Sequence, residues 1–234
     1  MLNIKEFFLN LIRYVFHHMD RYGDISYAQE GEDRILSRVI DLSKKGFYVD
    51  VGAHSPSRCS NTYYFYKKNW NGINIDAMPG SMRLFNWTRR RDINLEIAIG
   101  ESNTELTYYM FKERLFNTFD KNLADERIER FKSYNTIKIP VLRLEEVLDT
   151  YLPRDQEIDF LSVDVEGLDL QVLRSNNWNK YRPKYLIVEI LHNNFDEILK
   201  SESYQYLLEK DYDIFAKSTF SVIFKRKDIL HEYI

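Results

Sequence analysis

The segment Gly46–Pro56, with the sequence GFYVDVGAHSP, constrains the fold of this chain more than any other part of it. Its short apolar run, Phe47–Val51, is typical of a strand that is buried in a parallel sheet. Asp50 lies inside that run, where a carboxylate is costly unless a partner stabilises it. Gly52 follows, and a glycine there permits a tight turn and the close approach of a ligand. The segment therefore predicts a buried strand whose carboxyl end opens into a binding site.

Two later apolar runs also carry acidic residues, in both cases at the carboxyl end of the run. Gly72–Asp76 ends in one acid, and Ile158–Glu166 ends in two, Asp164 and Glu166. Open α/β sheets bind their ligands in a crevice outside the carboxyl ends of the strands. The three runs therefore predict one crevice that is lined by carboxylates.

The residues after Gly52 restrict the class of ligand. Because Ala53 and His54 come next, the chain lacks the G-x-G-x-x-G fingerprint of a dinucleotide site, and it has no G-x-x-x-x-G-K-[ST] element either. A nucleoside ligand without phosphates needs only the tight turn, together with acids for an amine and a ribose. S-adenosylmethionine fits this description, and Asp76 follows Gly52 at nearly the spacing of about 20 residues that is expected for a ribose-binding acid.

Several longer strings resemble the FkbM-type methyltransferase family. They are YAQEGEDRIL (Tyr27–Leu36), GFYVDVGAHSP, SNTYYFYKKNWNGINIDAMPGS (Ser60–Ser81), FNTFD (Phe116–Asp120) and LSVDVEGLDLQVL (Leu161–Leu173). The similarity extends from about Tyr27 to near Lys225. It implies a class I methyltransferase fold that uses S-adenosylmethionine, usually to methylate a hydroxyl of a sugar or natural product. One departure from the general class I pattern is His54, which stands where many such enzymes carry a second glycine.

The alternation of apolar patterns predicts an α/β fold with a mainly parallel sheet, helices on both faces and a C-terminal antiparallel hairpin. The predicted strands are Phe47–Val51, Gly72–Asp76, Leu95–Ile99, Ile137–Leu142, Ile158–Val165 and Lys184–Leu191. Glu105–Phe111 is expected to pair with the third of these as a hairpin, and Tyr212–Ala216 with Ser221–Lys225 as another. The predicted helices are Glu30–Leu42, Cys59–Lys68, one that begins near Pro79, Leu144–Leu152, Leu168–Arg174 and Tyr204–Lys210. Lys112–Tyr134 is expected to form a loop and a short helix.

We expect the chain to divide into an N-terminal amphipathic helix, residues 1–24, and, as the resemblance implies, an S-adenosylmethionine-binding methyltransferase domain, residues 25–234. The helix is predicted from an apolar stripe of Ile4, Phe7, Phe8, Leu11, Ile12, Val15, Phe16 and Met19. We expect this stripe to pack on protein, either on the domain or on a second subunit, which would make the protein a homo-oligomer. Attachment to a membrane surface is the alternative, although the polar face of the helix lacks a strong basic bias.

Composition narrows the partners. The net charge of −3, with 29% charged residues, does not indicate a nucleic acid partner. No apolar run approaches the roughly 18 residues of a membrane span, so a cytoplasmic protein is expected. Cys59 is the only cysteine, which excludes an internal disulfide and a cysteine-based zinc site. Free cysteines are usually buried, and we expect Cys59 to be buried or semi-buried after the first turn.

Each residue of the predicted cofactor site has an expected role. Asp50 would hold the methionine amine, directly or through water, and the two oxygens of Asp76 match the vicinal hydroxyls of a ribose. The alternatives are that Asp50 caps the turn and that Asp76 caps the next helix. By analogy with the fold, Ala98 would lie near the adenine and Asp164 beside the transferable methyl group. The predicted cofactor-binding residues are Asp50, Gly52, Ala53, Asp76, Ala98 and Asp164.

Methyl transfer to an alcohol requires alignment of the oxygen and removal of its proton by a base or with a metal. The predicted catalytic residues are Asp164, Glu166 and His54. Glu166 could instead interact with the dipole of the following helix. Glu189 and His192 could join Asp164 around Mg²⁺, but their spacing matches no metal signature, so no metal site is predicted. Two other classes of protein stay open, a nicotinamide-dependent oxidoreductase and a nucleoside-binding scaffold without turnover.

Overall fold

The computed structural model describes residues 9, 12, 24–113, 116–165, 167–191 and 194–229. The predicted N-terminal helix lies almost wholly outside these ranges. The predicted catalytic residue Glu166 and the candidate metal ligand His192 also lie outside them.

The described part of the chain alternates between strands and helices. The strands are β1 Phe47–Val51, β2 Asn71–Ile75, β3 Ile93–Leu95, β4 Ala98–Ile99, β5 Glu105–Met110, β6 Asn135–Leu142, β7 Phe160–Val163, β8 Tyr185–Glu189, β9 Tyr212–Lys217 and β10 Ser221–Arg226. The helices are α1 Glu32–Ser37, α2 Tyr63–Lys67, α3 Met82–Thr88, α4 Lys121–Phe131, α5 Leu144–Tyr151, α6 Asp169–Arg174, α7 Phe195–Lys200 and α8 Glu202–Glu209.

Seven strands form the main sheet, in the order β3-β2-β1-β7-β8-β10-β9. β10 runs antiparallel to both of its neighbours, and the pairs from β3 to β8 are parallel. This arrangement confirms the predicted class I methyltransferase fold with its C-terminal antiparallel hairpin. The smaller sheet has the order β4-β6-β5.

Both faces of the main sheet are buried, because alternate residues of each strand point to opposite sides. In β1, Val49 and Val51 belong to the larger core, which includes apolar residues of α5, α6, α7 and α8. Tyr48 lies in the second core, where it packs with residues of α1 and α2. Helices therefore cover the sheet on both sides, as the sequence predicts.

The prediction for the third strand and its hairpin is wrong. The segment Leu95–Ile99 is divided between two sheets, because the chain leaves the main sheet after β3 and enters the small sheet at β4. The exposed Glu96 lies between the two parts. β5 pairs with β6 rather than with either part, so β6 lies between β4 and β5. An apolar pattern does not show such a break, since both parts of the segment are apolar.

Smaller differences concern the helices. The structure begins α2 at Tyr63 rather than at Cys59, and it adds α7, which the sequence pattern does not predict. The side chain of Asn194 caps α7 by accepting a hydrogen bond of 2.8 Å from the backbone N–H of Glu197. The predicted loop and helix between Lys112 and Tyr134 is confirmed, with α4 as its helix.

Gly52 forms the turn that brings the ends of β1, β2 and β7 together. Its φ is 87°, in the left-handed region that favours glycine. Its N–H and that of Ala53 both donate to the carbonyl oxygen of Ile75, at 2.9 and 3.0 Å. A Cβ on Gly52 would lie 1.7 Å from the backbone carbonyl oxygen of Asp164. The glycine is therefore required by the contact between two strand ends, in addition to the turn.

We predict that Gly52→Ala destabilises the fold by at least about 3 kcal/mol, because the new methyl group overlaps a backbone atom that cannot move freely. Gly31→Ala is a matched control, since Gly31 has a φ of 89° and no atom lies within 4 Å of the position that its added methyl group would occupy. The control should cost only about 1–2 kcal/mol, the strain of a left-handed residue. Urea unfolding of both variants measures the difference, and equal losses would contradict the role given to the Asp164 contact.

Candidate active site

A cavity of about 460 Å³ lies at the carboxyl ends of β1, β2 and β7. This volume falls within the range of roughly 300–1,000 Å³ that is usual for ligand sites. Four of the predicted site residues line it, namely Gly52, His54, Asp76 and Asp164. The structure thus brings the acids that follow two of the predicted strands to one cavity.

Two backbone N–H groups, from different loops, hold the carboxylate of Asp76 in place. One carboxylate oxygen accepts the N–H of His54 at 2.9 Å, and the other accepts the N–H of Met78 at 2.8 Å. Because each carboxylate oxygen can accept about two hydrogen bonds, capacity remains for a ligand. Asp76 does not cap the next helix, since Ser81 precedes α3.

Asp164 is the first residue after β7, and its side chain is exposed where it lines the cavity. Its backbone N–H donates to the carbonyl oxygen of Val51 at 3.0 Å, which extends the pairing of β7 with β1 by one residue. Beyond it, the buried Asp169 accepts hydrogen bonds from the N–H groups of Val165 and Gly167, at 3.1 and 3.2 Å. These bonds fold the turn back towards α6.

His54, which departs from the general class I pattern, keeps the backbone conformation that a glycine would have at this position. Its φ is 48°, in the left-handed region where a glycine is the usual residue. The histidine therefore occupies the backbone conformation that a second glycine would adopt with less strain. Its side chain is exposed and lines the cavity.

A small apolar pocket of about 30 Å³ adjoins the cavity and shares Gly52 and Asp76 with it. Ala98 lines this pocket, as do Leu106, Phe119 and Leu168. Its volume has room for only about one or two water molecules. A purine ring could enter only if side chains such as Phe119 and Leu168 moved apart.

Asp50 and Ala53 do not line the cavity or the adjoining pocket. The carboxylate of Asp50 is 5% exposed and accepts a hydrogen bond of 3.0 Å from the hydroxyl of Thr62. Burial raises the pKa of Asp50 to about 6, although Thr62, Arg89 and Ser162 favour the ionised form. Ala53 packs against Met82 and Phe85 of α3. The predicted contact of these two residues with a cofactor stays a prediction.

Asp50 belongs to a buried polar network that is organised by Arg89, which is fully buried. The guanidinium forms an ion pair of 2.8 Å with the carboxylate of Asp92. It also donates to the carbonyl oxygen of Pro56 at 2.8 Å and to the hydroxyl of Thr62 at 3.1 Å. The network therefore fixes the loop between β1 and α2, which supplies one wall of the cavity. The network could not be predicted from the sequence, because an arginine in a run of three, RRR at 89–91, gives no signal of burial.

The opposite wall comes from the segment Asn117–Phe119. Asn117 accepts a hydrogen bond of 2.8 Å from the N–H of Phe111, and Thr118 pairs with Tyr109 through two backbone bonds of 2.8 and 3.1 Å. In the sequence, the FNTFD string is informative only through its resemblance to a family. Its position in the site could not be predicted, because the segment is remote in sequence from every strand of the main sheet.

Further residues that line the cavity were also missed. Gln29 and Arg58 contribute polar groups from two loops. Cys59 lines the cavity as well and is exposed, so the expectation that it is buried or semi-buried is wrong. The reason is that α2 begins four residues later than predicted, which leaves Cys59 in a turn with a φ of 51°.

Within the described ranges, no three His, Cys, Asp or Glu side chains are grouped as metal ligands. Among the same residues, no helix is long and apolar enough to cross a membrane.

The sequence profile of the Methyltransferase FkbM domain matches residues 50–214, which is more than half of the chain. The chain therefore belongs to the FkbM methyltransferase family. No curated protein gives a significant match.

Two methyltransferases are among the solved structures that are similar to the chain. One is the methyltransferase FkbM of Methylobacillus flagellatus KT, which is 15% identical with a TM-score of 0.48 over 77% of this chain. This chain spans only 43% of the length of that protein. The other is the precorrin-6y C5,15-methyltransferase of Geobacter metallireducens GS-15, which is 12% identical with a TM-score of 0.46, over 89% of this chain and 95% of its own.

We predict that Asp50 makes stability depend on pH. An aspartate in an unfolded chain has a pKa of about 3.9, whereas the pKa in the fold is about 6. Between these values the folded state binds more protons, so the contribution of Asp50 is fully present below pH 4 and is lost as the pH rises through 6. Asp50→Asn cannot ionise. The variant should therefore gain stability over the wild type as the pH rises, by at most about 3 kcal/mol above pH 7.

Urea unfolding of the wild type and of Asp50→Asn at several pH values between 4 and 8 measures this gain. If the difference in the free energy of unfolding between the two proteins stays constant across that range, the pKa of Asp50 is not raised in the folded protein.

Proposed function

We propose that this protein is a methyltransferase that uses S-adenosylmethionine and methylates a hydroxyl group of a sugar, a polysaccharide precursor or a natural product. The observation that carries the proposal is the position of Asp76 and Asp164 in one cavity, at the carboxyl ends of β2 and β7. Enzymes of this family generally use S-adenosylmethionine. The proposal therefore depends on how well the residues of this cavity fit that cofactor and a hydroxyl acceptor.

The residues present fit the cofactor. The carboxylate of Asp76 is oriented by two backbone N–H groups and retains acceptor capacity for the two hydroxyls of a ribose. The apolar pocket around Ala98 adjoins it and suits a nucleobase, provided that Phe119 moves. Asp164 supplies a negative charge for a cationic ligand on the β7 side of the cavity. When bound, S-adenosylmethionine supplies a methyl group that its sulfonium already activates.

The chain's own residues must then align the acceptor oxygen and take its proton. Alignment is the larger part of the work, because the methyl group needs no further activation. Asp164 and His54 both line the cavity, which supports the proposal that one of them accepts a proton from a hydroxyl. Glu166 remains a predicted base from its position in the sequence, two residues beyond Asp164.

The rest of the cavity is suited to an acceptor that is rich in hydroxyl groups. Gln29, Ser55 and Arg58 present amide, hydroxyl and guanidinium groups on the side formed by the loops. Such groups donate and accept hydrogen bonds as a sugar requires. A cytoplasmic location and a homo-oligomer formed through the N-terminal helix stay predictions from the sequence.

We predict that Asp76→Ala weakens the binding of S-adenosylhomocysteine by roughly 10- to 100-fold, since it leaves ribose hydroxyls without their acceptor, at a cost of about 1–3 kcal/mol. Calorimetry on the folded protein measures this. Asp213→Ala is a matched control, because Asp213 lies exposed on β9 at the edge of the sheet and its loss changes the charge equally. A folded wild type that binds neither S-adenosylhomocysteine nor S-adenosylmethionine would show that the cofactor assignment is wrong.

A second prediction concerns the base. Glu166→Gln should lower turnover by about 100-fold or more, the scale of general-base catalysis, while it leaves cofactor affinity nearly unchanged. Asp164→Asn should reduce both turnover and cofactor affinity. Transfer of a labelled methyl group to a panel of glycans measures turnover, and calorimetry measures affinity.

Glu209→Gln, at an exposed position near the end of α8, is the control for the loss of one carboxylate. Near-normal turnover of Glu166→Gln would show that Glu166 is not the base, and His54 would be the next candidate. Loss of cofactor affinity in Glu166→Gln but not in Asp164→Asn would reverse the two assignments.

A further inference from the structure

The outer face of α3 carries two large apolar side chains that the proposed methyl transfer does not use. The inner face of this helix buries Met82 and Phe85 against Ala53. On the other side, Leu84 is 51% exposed and Trp87 is 69% exposed. Residues three apart are neighbours on a helix surface, so these two side chains form one apolar spot.

The spot-bearing helix α3 and the helix α2, which contacts it, lie in segments that are rich in positive charge. The segments 63–72 and 77–91 contain five exposed cationic side chains and neither aspartate nor glutamate, in a chain whose net charge is −3. The five are Lys67, Lys68, Arg83, Arg90 and Arg91. None of them forms an ion pair with another residue that the structure describes. Their charges are therefore available to an anionic partner.

Direct contacts join two of the cations, Arg90 and Arg91, to the backbone of α3 and to α2. The guanidinium of Arg90 donates to the carbonyl oxygen of Trp87 at 3.1 Å. The guanidinium of Arg91 lies 3.8 Å from the ring centre of Tyr66 in α2 and donates to its carbonyl oxygen. The end of α2, with Lys67, therefore meets the end of α3. We name the five cations together with Leu84 and Trp87 the α3 surface.

We propose that the α3 surface binds an anionic lipid bilayer, with Trp87 and Leu84 among the lipid headgroups and the five cations beside the lipid phosphates. Lysine and arginine clusters are attracted to leaflets that contain anionic lipids. Tryptophan favours the membrane–water interface, where its ring is apolar and its N–H can reach a polar partner. A nucleic acid would use the cations but would give the exposed Leu84 no apolar environment. Binding of this kind is peripheral and does not depend on the acceptor or on the cofactor.

Trp87 also provides the measurement. The chain has three tryptophans, and the other two are buried, Trp70 at 1% and Trp178 at 6% exposure. Trp87 is therefore the tryptophan whose emission responds to a change of solvent. The full chain should co-sediment with vesicles of 70% phosphatidylcholine and 30% phosphatidylglycerol, with a blue shift of its emission. Vesicles of phosphatidylcholine alone should bind at least ten-fold less protein, and salt should weaken the binding to the anionic vesicles.

Variants test whether the α3 surface is the part that binds. Arg90→Glu with Arg91→Glu should reduce co-sedimentation at least ten-fold, and Leu84→Ser should reduce it without a change of charge. Lys210→Glu with Lys227→Glu is the matched control, because it reverses two charges that flank the β9–β10 hairpin, at the opposite edge of the main sheet from β3, the strand that follows α3. It should retain most of the binding. Urea unfolding checks that each variant folds.

Four results would overturn the proposal. They are no binding of the wild type to anionic vesicles, equal binding to neutral vesicles, undiminished binding in Arg90→Glu with Arg91→Glu, and an unshifted Trp87 emission on vesicles. Binding to DNA without binding to vesicles would identify a polyanion site instead. Self-association that shifts the emission without lipid, measured by sedimentation, would identify the surface as a contact between copies of the chain.

Discussion

The buried guanidinium of Arg89 is the interaction on which the geometry of the site depends. A charge without solvent is costly unless it is paired and fully hydrogen-bonded, and removal of one partner from such a pair is strongly destabilising. The segments that satisfy Arg89 must therefore all be in place together. They come from β1, the loop after it, the residue before α2, β2 and the turn after α3, through Tyr48, Pro56, Thr62, Asn74 and Asp92. Because the loop after β1 forms one cavity wall, the network fixes that wall before any ligand binds.

Much of the fold could be predicted because buried parallel strands are continuous apolar runs that end in turn residues. The strands β1, β2, β7 and β8 are found in this way, each to within about two residues, as element boundaries usually allow. Pairing between remote segments could not be predicted. β4 and β5 are both apolar, and nothing in their sequences shows that β6, which comes later in the chain than either of them, lies between them.

The candidate site was predictable to the extent that parallel strand ends meet at one edge of a sheet. This rule brings Gly52, Asp76 and Asp164 together correctly. The rule does not apply to Asp50, because this residue lies within β1 and not at its end. Period-two alternation puts its side chain on the same face of the sheet as that of Tyr48. Gln29 and Arg58 come from loops, and the conformation of a loop is not encoded in a local periodic pattern.

The helix α3 connects the cavity, on which the proposed function rests, with the α3 surface, on which the proposed membrane binding rests. It follows Asp76 in the chain, packs its inner face on Ala53, and ends at Thr88, directly before Arg89. A helix of seven residues has little stability of its own, so packing and the Arg89 network must hold it. Breaking that network would cost much free energy of folding. Contacts on the outer face of α3 do not require it to break. We therefore expect docking at the α3 surface to set the orientation of the cavity relative to the bilayer, with the position of Asp76 unchanged.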